Sequence, residues 1–308
     1  MEYWINNYME KMECGMLKYQ KKITEPKIRR PAVAGSFYPS NQLELEAFLD
    51  IALSSVNENH ASSGRLRALI SPHAGYMYSG DSAGKGYNCI KHKNYENVII
   101  FAPSHKVPFY GVALSDYTHY KTPLGSIMIN TDAVNNIIKN NQDIAFVRND
   151  AHVNEHALEV QLPFIQKILP DVPLIPVICG HIDDFQKTVE AFSEYNNEKN
   201  LWIISSDFTH YGRSFNYTPF FEDLDKAIEK LDMQAIKKIL DIDPEGFLDF
   251  ISKTGATICG ATPISLLLYS FYKNQEIKKT LLLDYTNSGK LMSDFSHSVS
   301  YASIGFFS

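Results

Sequence analysis

A chain of 308 residues with 44% hydrophobic and 21% charged side chains is long enough to bury a sizeable core, as one large domain or two small ones. A net charge of −6, with no basic stripe interleaved with aromatics, excludes a general attraction to nucleic acid. The longest apolar run, around residues 266–268, is far too short to cross a bilayer, so no membrane role is expected.

Residues 1–27 mix Met1, Met9, Met12 and Met16 with polar groups and lack the continuous apolar segment of an export signal. They read as a poorly packed extension, with Met12 and Met16 as alternative starts, followed by one domain over 28–308. Without such a signal, and without paired spacing, Cys14, Cys89, Cys179 and Cys259 read as free thiols in a reducing cytoplasm. An irregular lead-in follows at residues 30–39. Leu43, Leu45, Phe48, Leu49 and Leu53 then form a helical stripe, with Asn41 as its cap. Leu66–Ser71 is a short apolar run of the kind buried on both faces of a parallel sheet, and 98–102, Leu174–Cys179 and 201–206 repeat the pattern. Gly75, Gly80, Gly84 and Gly86 thin out the segment after the first run, which suits a close backbone approach.

Short strands are expected around 122–125 and a helix over 132–139. A helix capped by Asn154 is expected to run to Leu169, kinked at Pro163. Another helix is expected near 183–195. The helix expected over 222–240 turns Leu224, Ile228, Leu231 and Ile239 inward. Asp243-Pro244 and Thr262-Pro263 each signal a cap and first turn, the second for a helix over 264–272. Strands at 281–285 and 299–307 close the pattern. Helices alternating with buried strands predict a single α/β domain with a mostly parallel central sheet flanked by helices.

The chemistry lies where these strands end. His73 follows the first, His105 the second, His181 the third, and Asp207 with His210 the fourth. In an open α/β sheet the carboxyl ends of the strands open onto the ligand crevice, so imidazoles remote in sequence converge there, as a metal site requires. Cys259, just before a capped helix, is placed where a helix N-terminus stabilises a thiolate, a soft metal ligand. Asp207 can orient His210 for metal binding or proton transfer. Glu155, His156 and Glu159 open a helix. His156, with Glu155, is a candidate to hold a ligand in orientation from behind. His60, His92, His119, His152 and His181 show no spacing beyond solvent or turn roles. Tyr38, Tyr76, Tyr78 and Tyr211 flank these residues and can form an aromatic rim. No glycine-rich nucleotide-binding motif and no Gly-x-Ser-x-Gly elbow is present.

Seven segments in order, PAVAGSFY (31–38), ISPHAGY (70–76), APSHKVP (102–108), YKTPLG (120–125), EHALEVQLPF (155–164), ISSDFTHYG (204–212) and TICG (257–260), resemble the Memo family, also called system protein B of the AmmeMemoRadiSam set. That family is similar in fold to class III extradiol dioxygenases, which are non-haem iron enzymes. The resemblance implies that His73, His105 and Cys259 bind one metal ion, iron(II) ahead of copper or zinc. It also implies that His210 serves as acid/base beside Asp207. Cys259 falls where the dioxygenases carry a carboxylate, a departure that bears on ring-cleaving activity. The expected function is therefore a metal-dependent redox activity on an unidentified substrate. The alternatives are a non-catalytic module that captures a peptide or small ligand in the same pocket, and a partner of a companion radical enzyme.

Overall fold

The computed structural model describes residues 25–54, 64–90, 94–272 and 276–308. In chain order its strands are β1 (Ile28–Arg29), β2 (Leu66–Ser71), β3 (Asn97–Pro103), β4 (Val112–Leu114), β5 (His119–Thr122), β6 (Gly125–Met128), β7 (Ala145–Val147), β8 (Leu174–Cys179), β9 (Asn200–Ser205), β10 (His210–Gly212), β11 (Lys279–Asn287) and β12 (His297–Phe307). Every residue of β2, β3, β8 and β9 is buried, as their Ile- and Val-rich runs require. Each such side chain removed from water stabilises the fold by about 1.5–3 kcal/mol before chain entropy is counted.

These strands lie at the centre of a nine-stranded sheet of order β10-β12-β2-β9-β3-β8-β4-β7, with β11 also paired to β12. The four central strands are mutually parallel. Outside them the sheet is mixed: β12 runs antiparallel to β2, β10 and β11, and β4 antiparallel to β8. A smaller sheet joins β1, β5 and β6. The chain is thus a single α/β domain whose sheet is flanked by helices.

The glycine-rich stretch after β2 is a helix, Tyr76–Tyr87. Glycine is a poor helix former, but here contact decides: a Cβ on Gly80 would meet the Phe48 ring at 2.4 Å, and one on Gly84 the Ala52 carbonyl oxygen at 2.4 Å. The missing side chains let this helix lie against the Gln42–Ser54 helix. The expected helix from Asn154 to Leu169 is instead two short ones, His156–Glu159 and Leu162–Ile168. Glu155 caps the first, through Ala157 N–H, and Pro163 sits in the first turn of the second, where its missing N–H costs nothing. The helix expected over 183–195 is Phe185–Glu190 with a separate 3₁₀ turn. Thr262 does not cap; the helix Ala261–Phe271 begins after Gly260. The Asp243 cap forms as expected on the Gly246 N–H. The extension at 1–24 and its Cys14, together with His60 and His92, lie outside the described residues.

Candidate metal centre

The site is built on the carboxyl ends of three neighbouring parallel strands. β9 lies between β2 and β3, so His73 and His105 are not on adjacent strands. Their rings reach toward each other across the end of β9, with centroids 5.2 Å apart. His156 completes the cluster from its short helix, at 5.5 Å from His73 and 4.7 Å from His105. Nitrogens of His73, His105 and His156 that can ligate a metal all lie within 4.8 Å of one another, close enough to hold one ion.

Cys259 lies outside this group of three and approaches it only on the His73 side, where Gly260 packs onto the end of β9. A Cβ at Gly260 would fall 2.3 Å from Ser206 Cβ, so no other residue allows this approach. Cys259 Sγ lies 3.2 Å from His73 Nε2 and accepts the Asp207 N–H at 3.2 Å. Two ligands of one ion take such a separation at nearly a right angle, given metal–nitrogen and metal–sulfur bonds of about 2.1 and 2.3 Å. The helix terminus does not dominate the thiol's environment. Burial, reinforced by the Asp207 carboxylate, pushes its pKa far up. Cys179 and Cys259 are free thiols, as expected.

Each ring is held from behind. Glu155 accepts the His105 backbone N–H at 2.6 Å and the His105 Nδ1–H at 3.0 Å, and its Oε1 lies 3.2 Å from His156 Nδ1. Burial opposes its charge, but the bonds from the His105 ring and backbone outweigh burial and bring its pKa to about 2. His73 is buried, with its backbone N–H on Asp207 Oδ1 at 2.7 Å and its Nδ1 2.9 Å from Ser205 Oγ. Burial, then the nearby His105, pushes its pKa far down. Burial, then His73, lowers that of His156 to about 4. His73 and His156 are therefore neutral at neutral pH, as metal ligands must be.

Asp207 does not orient His210. Its Oδ1 is bound to the His73 backbone, and burial raises its pKa. The His210 Nδ1 instead faces the carbonyls of Phe208 and Thr257, each at 2.9 Å. Carbonyls only accept, so Nδ1 carries the proton and Nε2 is left as a lone-pair donor. His73, His105, His156, His210 and Asp207 line one cavity of about 560 Å³. Its apolar wall is Phe37, Tyr78, Phe215, Met292, Val299 and Tyr301. Of the four tyrosines expected at the rim only Tyr78 lines it. Tyr38 and Tyr76 are buried, donating to Glu159 at 2.6 Å and to the Val160 carbonyl at 2.8 Å, and Tyr211 donates to the Phe220 carbonyl at 2.6 Å.

Asp294 and His297 also line the cavity, the latter 2.8 Å from Ser214 Oγ through its Nδ1. Asp294 comes from the β11–β12 connection and His297 opens β12, and neither carries a motif that could have announced it. His181 stands apart, exposed and paired with Asp183. His152 is not a surface residue: it is buried between the Tyr120 hydroxyl and the Ala113 carbonyl. Beneath the cluster, the buried carboxylate of Glu159 pairs with the buried guanidinium of Arg29 and accepts the N–H groups of Ala32 and Val33 at 2.8 and 3.0 Å. This anchors the lead-in segment under the site. Among the described residues no helix is long and apolar enough to cross a membrane.

Comparison with known proteins agrees with this architecture. Residues 29–305 match the family model described as Memo-like protein. The chain is 34% identical over 279 residues to a MEMO1 family protein of Thermoplasma volcanium, covering 90% of this chain and 97% of that one. It is 32% identical over 288 residues to the Protein memo-1 homolog of Caenorhabditis elegans, covering 89% and 81%. It is 33% identical over 289 residues to Protein MEMO1 of Xenopus laevis, covering 89% and 95%. A match over almost the whole described chain, with relatives of nearly equal length, leads to one conclusion: this chain belongs to the Memo-like protein family.

Proposed function

We propose that the cavity is the mononuclear metal centre of a redox protein, with His73, His105 and Cys259 as ligands and His156 standing next to them. The observation that carries this reading is the convergence of ligating nitrogens of His73, His105 and His156 within 4.8 Å, with Cys259 Sγ 3.2 Å from His73 Nε2 at its edge. The donor set, imidazole plus thiolate, suits iron, copper or zinc. Iron(II) ranks first because of the resemblance to non-haem iron enzymes. When bound, the ion supplies the electron-transfer or Lewis-acid chemistry that these side chains lack.

The chain's own residues do the rest. Glu155 orients His105 and His156, and Asp207 fixes the His73 backbone. His210 faces the cavity with its Nδ1 proton tied to two carbonyls, so its Nε2 takes a proton from a ligand there or returns one. The aromatic and aliphatic wall excludes water and favours a flat apolar ligand body. That wall also supports a second reading, in which the cavity captures a peptide or small ligand without turnover.

Metal analysis of anaerobically purified protein, with and without Cys259→Ala, tests the centre; metal content unchanged by the substitution removes the proposed ligand. Oxygen uptake by metal-loaded protein across a panel of catechols separates the two functions. Turnover that His210→Ala abolishes supports the redox reading, and silence across the panel supports capture alone.

A further inference from the structure

We propose that Ser205 and Gln161 are positioning residues that lock His73 in the tautomer able to bind a metal. This rests on the metal-centre reading for its purpose, but not for its geometry. Ser205 Oγ has three polar neighbours: the Ala157 carbonyl at 2.6 Å, Gln161 Nε2 at 2.9 Å and His73 Nδ1 at 2.9 Å. A hydroxyl offers one proton and two lone pairs. The carbonyl can only accept, so the proton goes to Ala157, and both remaining neighbours must donate to Ser205.

The amide end of Gln161 is identified by its surroundings. Its Nε2 lies 2.9 Å from the Pro72 carbonyl and 3.3 Å from that of Ser71, while its Oε1 accepts the Tyr87 hydroxyl at 2.9 Å. Turning the amide over would set oxygen against two carbonyls and strand the tyrosine proton. With Gln161 donating, the last lone pair of Ser205 takes the proton of His73 Nδ1. His73 Nε2 is then bare, and it is this atom that faces Cys259 Sγ. Ser205, Ala157, Gln161, Tyr87 and His73 are all buried, so water cannot replace any of them, and an alternative tautomer would leave a buried carbonyl unpaired. Gln161 holds the Pro72 carbonyl as well, and so fixes the backbone on which His73 stands.

The test uses the full-length, metal-free chain with ¹⁵N-labelled histidine, the His73 ring assigned against His73→Gln. The wild type is expected to show protonated Nδ1 and unprotonated Nε2. Ser205→Ala is expected to lose that pure state and to weaken zinc(II) and iron(II) binding about 10–100-fold in competition titrations, the usual cost of losing a group that orients a ligand. Ser205→Thr, which keeps the hydroxyl, should restore both properties. Gln161→Met should fall between them. A wild type with protonated Nε2, or a folded Ser205→Ala with unchanged tautomer and affinity, overturns the proposal. If Ser205→Ala does not fold, the wild-type tautomer and Gln161→Met decide. A locked tautomer in a protein that binds neither metal leaves this inference standing and sinks the metal centre instead.

Discussion

The two walls of the cavity solve one problem by different means. On the β2 side, His73 is 2% exposed; its ring Nδ1 rests on the Ser205 hydroxyl, backed by the Gln161 amide, and its backbone N–H on the Asp207 carboxylate. On the β3 side, the His105 side chain is 28% exposed and is held by a carboxylate. The ring partner on each wall is buried, neutral behind His73 and charged behind His105. A partly wet imidazole gains more from a charge-assisted bond that survives contact with solvent. Both sets of supports come from one stretch of chain: Ala157 and Gln161 serve His73, and Glu155 serves His105.

The sharpest way to break this comparison is to remove donors, since both walls are proposed to serve one ion. Cys259→Ala and His105→Ala should each abolish bound metal almost completely when the purified protein is analysed by elemental mass spectrometry. Loss with one variant only would mean that the walls do not share a ligand set. The next effect concerns the stretch beneath both walls. Glu159→Ala leaves the buried Arg29 charge unpaired and should cost about 3–5 kcal/mol of stability in urea unfolding. Replacing the pair together, Arg29→Met with Glu159→Leu, should recover most of it.

A smaller effect is pH-dependent. Burial holds the pKa of His152 at about 4, against 6.5 in an exposed imidazole. Between those values the unfolded chain binds the extra proton, so the contribution is complete above about pH 6.5 and is lost as pH falls toward 4. It amounts to about 3 kcal/mol at most. Unfolding free energies measured across that interval should slope less steeply in His152→Gln. The smallest effect tests the charged wall alone. Glu155→Gln should leave the fold intact and weaken metal binding by about 10–100-fold. A parallel loss in Ser205→Ala would show that the neutral support and the charged one are equally effective.

The sequence reveals the centre of the molecule better than its edges. Runs such as Leu66–Ser71 and Leu174–Cys179 are buried on both faces, and their mostly apolar side chains mark them, with Arg67 the one charged exception. The edge strands β1, β7 and β10 span two or three residues each, too few to carry a pattern. The Tyr76–Tyr87 helix escapes notice because its glycines answer to a neighbouring helix rather than to local propensity. At the site, strand ends point to His73, His105, Asp207 and His210, and the cavity does gather all of them. The place of His156 within the imidazole cluster, rather than behind it, depends on the break between two short helices, which Pro163 disguises as a kink. Gln161 and Ser205 carry no signal at all, because a hydrogen-bond relay depends on distances that only the fold creates.

Strand β12 has a consequence for how the protein is made. It pairs with β2 and with His210 itself, opposite Val299, and its Ser300 carbonyl accepts the Phe208 N–H. It follows every other strand of the sheet in chain order. The turn carrying Asp207 and His210 therefore lacks its β12 bonds until the ribosome has released residues about ninety positions downstream of it. A nascent chain can assemble β2, β3, β8 and β9 early, yet it has no finished pocket in which to trap a metal. On the proposed metal-centre reading, loading would follow completion of the sheet.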